Sequence, residues 1–310
     1  MTIDSPQHYE VFQRIEGRAS VPIQMSGLRG ATAQVQILRA DGTPVARQHF
    51  TLKDGLLSGV LEDVPEGGWY SLVIGRGAAK KALSRFGVGD VFVVAGQSNA
   101  AGHGDGFIGD RSGLVSVLTV NGRWKLAQDP EELPAGMTAG SPWPIMGELL
   151  ACADRVPIGF INAAVGGTST EQWLPNAPDN ALYRGLKEAL EGRKVRAVLW
   201  HQGESDAVSG FAMQRTFENM SKLITQSRLD AGREVPWYVA LASYTSGASQ
   251  EAIAPTREAQ KMLYKHGLSL PGPDTDTHVP HSMRYDGTHL SAVGLTVHGI
   301  LWFRALKFSR

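Results

Sequence analysis

The run Val91-Phe-Val-Val-Ala-Gly-Gln-Ser98-Asn-Ala-Ala-Gly102 carries an apolar strand pattern into a Gly-rich turn that presents one hydroxyl. The apolar residues suit a buried sheet, Gly96 allows a tight turn, and peptide N–H groups beyond the strand are left free to face a developing negative charge. Ser98 is flanked by Gln97 and Asn99, which differs from the Gly-x-Ser-x-Gly elbow of α/β-hydrolases. The same serine also reads as a simple helix N-cap.

Near the other end, Arg284-Tyr-Asp286-Gly-Thr-His289-Leu-Ser places a carboxylate three residues before an imidazole. At that spacing Asp286 can accept from His289 Nδ1, fix the tautomer and leave Nε2 free to take a proton from Ser98. The competing reading is a helix start, with Asp286 or Ser291 as the cap and His289 in the first turn. Two further polar loops follow apolar runs. Asn162-Ala-Ala-Val-Gly166-Gly167-Thr168-Ser169 comes after Val156–Ile161, and Trp200-His201-Gln202-Gly203-Glu204-Ser205-Asp206 comes after Val195–Leu199. Loops at the C-terminal ends of parallel strands are where open α/β sheets hold ligands. A Gly166 or Gly167 N–H and the Gln202 amide can join the Ser98 N–H as oxyanion donors.

With these blocks and their order, residues 88–310 resemble the SGNH/GDSL-type hydrolase superfamily, in its branch of sialate O-acetylesterase-like and plant-type acetylxylan esterase-like carbohydrate esterases. The Gly272-Pro-Asp-Thr-Asp276 stretch belongs to the same pattern. The resemblance implies Ser98 as nucleophile, His289 as base, Asp286 as its orienter, and Gly166 or Gly167 with Gln202 as partners of the Ser98 amide. It also implies a flavodoxin-like three-layer α/β fold with a parallel sheet, and removal of a small O-acyl group, acetyl above all, from a carbohydrate. Gln202 stands where many superfamily members carry Asn, as is usual in this branch. The catalytic parts alone would equally serve a lipase or thioesterase acting on longer chains. A carbohydrate-binding protein without chemistry would show a broken triad, and all three residues are present.

Gln97, Asn99, His103, Trp173 and Glu204 are the candidates for touching substrate or bracing the site. His103 follows the nucleophile closely enough to reach the pocket rim, and Glu204 is placed to brace Gln202 or an arginine. Trp143 and Trp173 can offer a flat face to a sugar ring, Trp173 being the better placed beyond the oxyanion glycines; the alternative is that both only cap the core. Asp274 and Asp276 resemble a glycosidase pair, but their proline-flanked turn favours local hydrogen bonds. His103 and His201 lack companions at a metal-site spacing, so the sequence assigns no metal and the chemistry needs no cofactor.

These residues must be mounted on an ordered scaffold. Runs at 91–95, 115–120, 156–161, 195–200 and 235–242 alternate with helical stretches, of which Phe211–Leu229 and Leu290–Phe308 are the clearest, predicting a parallel sheet covered on both faces. Before residue 88, short β-like runs at 9–14, 19–25, 32–38, 45–52, 57–61 and 69–74 are separated by turns such as Asp41-Gly42 and Asp54-Gly55. They predict a small antiparallel β-sandwich over 1–88, read as a module that helps wall the cleft, and a catalytic domain over 89–310.

Thirty basic and thirty acidic side chains leave no net field for nucleic acid or an anionic membrane, so a neutral substrate fits better, and the resemblance implies that this partner is an acetylated carbohydrate. The sequence assigns no oligomeric state. Cys152 is the only cysteine and is expected to be a buried, inert thiol in the stretch 145–153. Met1-Thr-Ile-Asp-Ser-Pro has no basic and apolar leader pattern, and no run is long enough to span a bilayer, which makes cytoplasmic residence the default expectation.

Overall fold

The computed structural model describes residues 1–75, 81–132 and 138–308. Seven strands lead the chain: β1 (Thr2–Ser5), β2 (Glu10–Gln13), β3 (Arg18–Ser26), β4 (Thr32–Leu38), β5 (Pro44–Thr51), β6 (Leu57–Pro65) and β7 (Gly67–Ile74). Period-2 patterning makes them strands: in β3, Val21, Ile23 and Met25 are buried while the intervening residues are exposed. β1, β3 and β6 form one antiparallel sheet, and β5, β4 and β7 pair antiparallel in a second layer. Both layers contribute to one core that includes Ile23, Ile37, Leu57, Leu72 and Phe86.

The expected sandwich is present in part, because its second layer is not a separate sheet. β8 (Lys81–Gly96) runs unbroken through residue 88. Its first half pairs antiparallel with β7 and parallel with β2, and from Asp90 onward it belongs to the parallel sheet. Side-chain alternation lets it serve two cores, with Val91, Val93 and Ala95 on one face and Phe92 and Val94 on the other. Buried Asp90 stands at the changeover and accepts from Arg14 Nη2 at 2.9 Å and Arg196 Nη1 at 2.6 Å. Burial opposes the charge on Asp90, but the two guanidinium groups hold its pKa below the ordinary value.

Beyond β8 the chain forms α1 (Ser98–Ala101), β9 (Val115–Leu118), β10 (Trp124–Leu126), β11 (Glu131–Glu132), β12 (Thr138–Ala139), α2 (Trp143–Asp154) and β13 (Ile158–Asn162). Then come α3 (Ala181–Leu190), β14 (Ala197–His201), α4 (Glu204–Val208), α5 (Met213–Ala231), β15 (Trp237–Leu241), α6 (Gln250–Lys265), β16 (Leu270–Asp274), α7 (Thr275–His278) and α8 (Ala292–Phe308). The main sheet is ordered β10-β9-β13-β8-β14-β15-β16, and only β10 in that row is antiparallel to its neighbour. Its stretch β13-β8-β14-β15-β16 follows the 2-1-3-4-5 order of flavodoxin-like sheets.

Residues of α3, α5 and α6 pack on one face and residues of α2 and α8 on the other, as three layers require. Cys152 corrects one expectation: it is exposed, because α2 turns Met146, Leu150 and Ala151 inward instead. The N-terminal layers also do not wall the cleft. They join β8 up to Gly89, seven residues before Gly96, which at about 3.3 Å per residue puts them roughly 23 Å away, toward the opposite end of that strand. Among the described residues no helix is long and apolar enough to cross a membrane.

Candidate active site

Ser98 enters directly from the end of β8, at the first position of α1, and is only 4% exposed. The turn depends on Gly96 at φ +122°, where a Cβ would lie 2.1 Å from the His201 carbonyl oxygen, so the backbones of β8 and β14 can approach only without a side chain there. The neighbouring strand ends supply the other loops, since β13 and β14 flank β8. Val165 N–H donates to Gly96 O at 3.0 Å and Gln97 N–H to His201 O at 2.9 Å. The Gln97 Oε1 accepts from Ser205 N–H at 3.1 Å, so Gln97 ties the nucleophile turn to α4 and does not face solvent.

Asn99 joins three segments. Its Nδ2 donates to Glu204 Oε1 at 2.9 Å and to Thr288 O at 3.3 Å, and its Oδ1 accepts from Leu290 N–H at 3.3 Å. The side chain beside the nucleophile thus fixes the loop carrying His289. Arg284, buried under the Tyr244 ring, holds the same loop by donating to Thr288 O and Val279 O.

Within that loop Asp286 Oδ2 lies 2.6 Å from His289 Nδ1, while Oδ1 accepts the backbone N–H groups of Thr288 at 2.9 Å and His289 at 2.7 Å. Burial opposes the charge on Asp286, but the His289 hydrogen bond and the two backbone donors bring its pKa down to about 2. Facing an ionised acceptor, Nδ1 carries the proton and Nε2 its lone pair.

The His103 ring lies near-parallel to His289 with centroids 5.7 Å apart. A methyl group placed on Gly166 would lie 3.1 Å from His103 Nε2 and 3.5 Å from Ser98 Cβ, so Ser98, Gly166, His103 and His289 form one cluster. No hydrogen bond joins Ser98 Oγ to His289 in this arrangement; such contacts are commonly long without substrate and tighten when it binds. No described residue accepts from the Ser98 or Gly166 backbone N–H. Gly167, exposed at φ +72°, lies one residue farther along the loop.

Two expected roles are corrected. Gln202 is 1% exposed and its Nε2 donates to Asp206 Oδ1 at 2.8 Å and Thr168 O at 3.2 Å, which occupies both amide hydrogens and leaves none for an oxyanion. Trp173 is 0% exposed, packs edge-on against Trp200 at 5.2 Å and donates to Thr168 Oγ1 at 2.9 Å, so no sugar reaches its face. Trp143 is likewise buried, donating to Ala100 O. Asp274 and Asp276 are bound by Arg257, with Asp276 also capping Ser243 and Tyr244 N–H groups, which accounts for both carboxylates structurally.

Two residues without an expected role matter here. Asp206 accepts from Gln202, Thr170 and Thr216 and so anchors the Gly166 loop; its position four residues after Gln202 was the available signal. Tyr285, 51% exposed, lies near-parallel to His289 at 6.0 Å and donates from its hydroxyl to His103 O at 3.3 Å. An aromatic residue immediately before Asp286 is its signal.

Glu204 braces Asn99, not Gln202, and also meets His201 Nε2 at 3.3 Å. Full burial works against its charge, yet His201 and the Asn99 amide lower its pKa from 4.5 to about 2. A lowered carboxylate pKa contributes stability that is complete above pH 4.5 and is lost as pH falls toward 2. Glu204→Gln is therefore expected to cost about 2 kcal/mol at neutral pH, the worth of a charge-assisted hydrogen bond. The gap to wild type should narrow between pH 4.5 and 2; urea denaturation at pH 7 and pH 3 checks this, and a gap independent of pH would contradict it.

Residues 88–299 match the family described as carbohydrate esterase, sialic acid-specific acetylesterase. The match takes in well over half of the sequence, and the chain belongs to that family. It is 29% identical to a probable carbohydrate esterase of Arabidopsis thaliana, over 45% of this chain and 63% of that relative, so the chain spans less than two thirds of the relative's length. Its fold is similar to that of a carbohydrate acetylesterase from Xanthomonas citri, with a TM-score of 0.68 at 21% identity over 99% of this chain and 75% of the other. It is also similar to a solved Arabidopsis thaliana protein, with a TM-score of 0.57 at 24% identity over 71% of this chain and 99% of the other.

Proposed function

We propose that the protein is a serine esterase that removes small O-acyl groups, acetyl above all, from carbohydrate. The observation that carries the reading is the 2.6 Å Asp286–His289 pair held beside a buried serine at a strand end. Membership of a carbohydrate esterase family supports the substrate class. Ser98 Oγ attacks the acyl carbonyl carbon while His289 Nε2 takes its proton, and the oxyanion is held by the N–H groups of Ser98 and Gly166. Collapse releases the sugar alcohol, which takes the proton from His289. Water, activated the same way, then frees the acid from Ser98. Tyr285, exposed beside His289, replaces Trp173 as the aromatic face available to a sugar. Residues 89–310 carry the chemistry, and the preceding strands support it through β8.

Acetate release from acetylated glycans, with a series of nitrophenyl esters alongside, tests this reading. Turnover is expected to fall at least about tenfold from acetyl to butyryl, because each extra methylene must clash in a small site or remain in water. Equal or rising rates along the series would instead mark a lipase or thioesterase.

A further inference from the structure

We propose that His103 is the third oxyanion donor, filling through its ring N–H the place that the sequence pattern offers to Gln202. This rests on the serine-esterase reading above. Three observations meet at this point. First, Gln202 is committed: its amide faces two acceptors, Asp206 Oδ1 and Thr168 O, and has no hydrogen to spare. Second, the Nε2–Cε1 edge of His103 is the part of that ring turned toward Gly166, both atoms lying 3.1 Å from where a Gly166 methyl would stand, with Ser98 Cβ 3.5 Å from the same point. A third donor for a tetrahedral intermediate on Ser98 belongs on this side. Third, neither ring nitrogen of His103 is hydrogen-bonded to any described residue, while its backbone is held at both ends, by His103 N–H to Ser98 O at 3.1 Å and by Tyr285 Oη to His103 O at 3.3 Å.

A rigid backbone carrying an unpartnered donor beside the nucleophile is the preorganised arrangement that oxyanion stabilisation requires. Histidine is also chemically suited. Burial and the neighbouring His289 both lower its affinity for protons, so it offers one N–H without adding a second positive charge next to an imidazole that must itself become cationic during turnover.

The test measures kcat and KM for p-nitrophenyl acetate in His103→Phe, His103→Ala and His103→Gln, with wild type and Ser98→Ala run in parallel. Phe keeps the ring and its stacking but has no donor; Gln restores a donor without the ring. Phe and Ala are expected to lower kcat by about 10²-fold or more with little change in KM, and Gln to stay within about tenfold of wild type. Wild-type kcat in the Phe variant, or a Gln variant as impaired as Ala, would overturn the assignment. If Phe fails to fold, the Gln and Ala pair decides alone. A wild-type enzyme with no Ser98-dependent hydrolysis would instead overturn the esterase reading itself, whatever the His103 variants do.

Discussion

Ser98→Ala is expected to reduce acetyl-ester turnover by about 10⁴-fold or more while leaving stability nearly unchanged. The large kinetic effect follows from losing the atom that forms the acyl-enzyme: what remains is the oxyanion donors and binding, which act on water attack alone. The small structural effect follows from the contacts. No described residue hydrogen-bonds to Ser98 Oγ, so alanine orphans no buried partner, and α1 tolerates alanine at its first position as readily as serine. A thermal melt within a few degrees of wild type, together with unimpaired binding of the deacetylated sugar, separates this outcome from misfolding.

Asp286→Asn is expected to lower kcat by about 10³- to 10⁴-fold, for a reason visible in the loop. Asp286 Oδ1 is engaged by two backbone donors, the N–H groups of Thr288 and His289. An asparagine must therefore keep its amide oxygen there and turn its NH₂ group toward His289 Nδ1. Donor would then face donor, so the imidazole must move its proton to Nε2, the atom that should receive the Ser98 proton. Because the loop keeps its backbone hydrogen bonds, stability and KM should change little. Asp286→Ala should lose both turnover and loop stability. An Asn variant with near wild-type kcat would show that the carboxylate does not set the tautomer.

The Asp286–His289 pairing and the place of Ser98 at a strand end are legible in the sequence because they are local. An acid three residues before an imidazole, and a serine at the end of an apolar run, are placed by a few bonds of chain. Strands 91–95, 156–161 and 195–200 were equally plain, since buried parallel strands read as continuous apolar runs. What the sequence hid depends on distant partners. Nothing near Trp173 announces that Trp200 covers it, and nothing near Gln202 states that Thr168 O takes its second hydrogen. β16 does not read as a strand because Leu-Pro-Gly-Pro-Asp is a turn by composition; it survives as a strand only at the end of the sheet, where missing N–H groups are tolerated. The boundary expected near residue 88 follows a real change in texture, but β8 crosses it, because successive stretches of one strand enter two cores: Phe86 and Val88 that of the N-terminal layers, and Val91, Val93 and Ala95 that of the main sheet.

Turnover by this route requires that Ser98 become covalently acylated. The most direct measurement is peptide mass mapping after inactivation with a fluorophosphonate, which reacts with activated serines through the same attack. One adduct per chain is expected, on the peptide containing Ser98, with labelling and activity loss advancing together. Complete inactivation with the label on another residue, or full labelling of Ser98 with esterase activity retained, would contradict it.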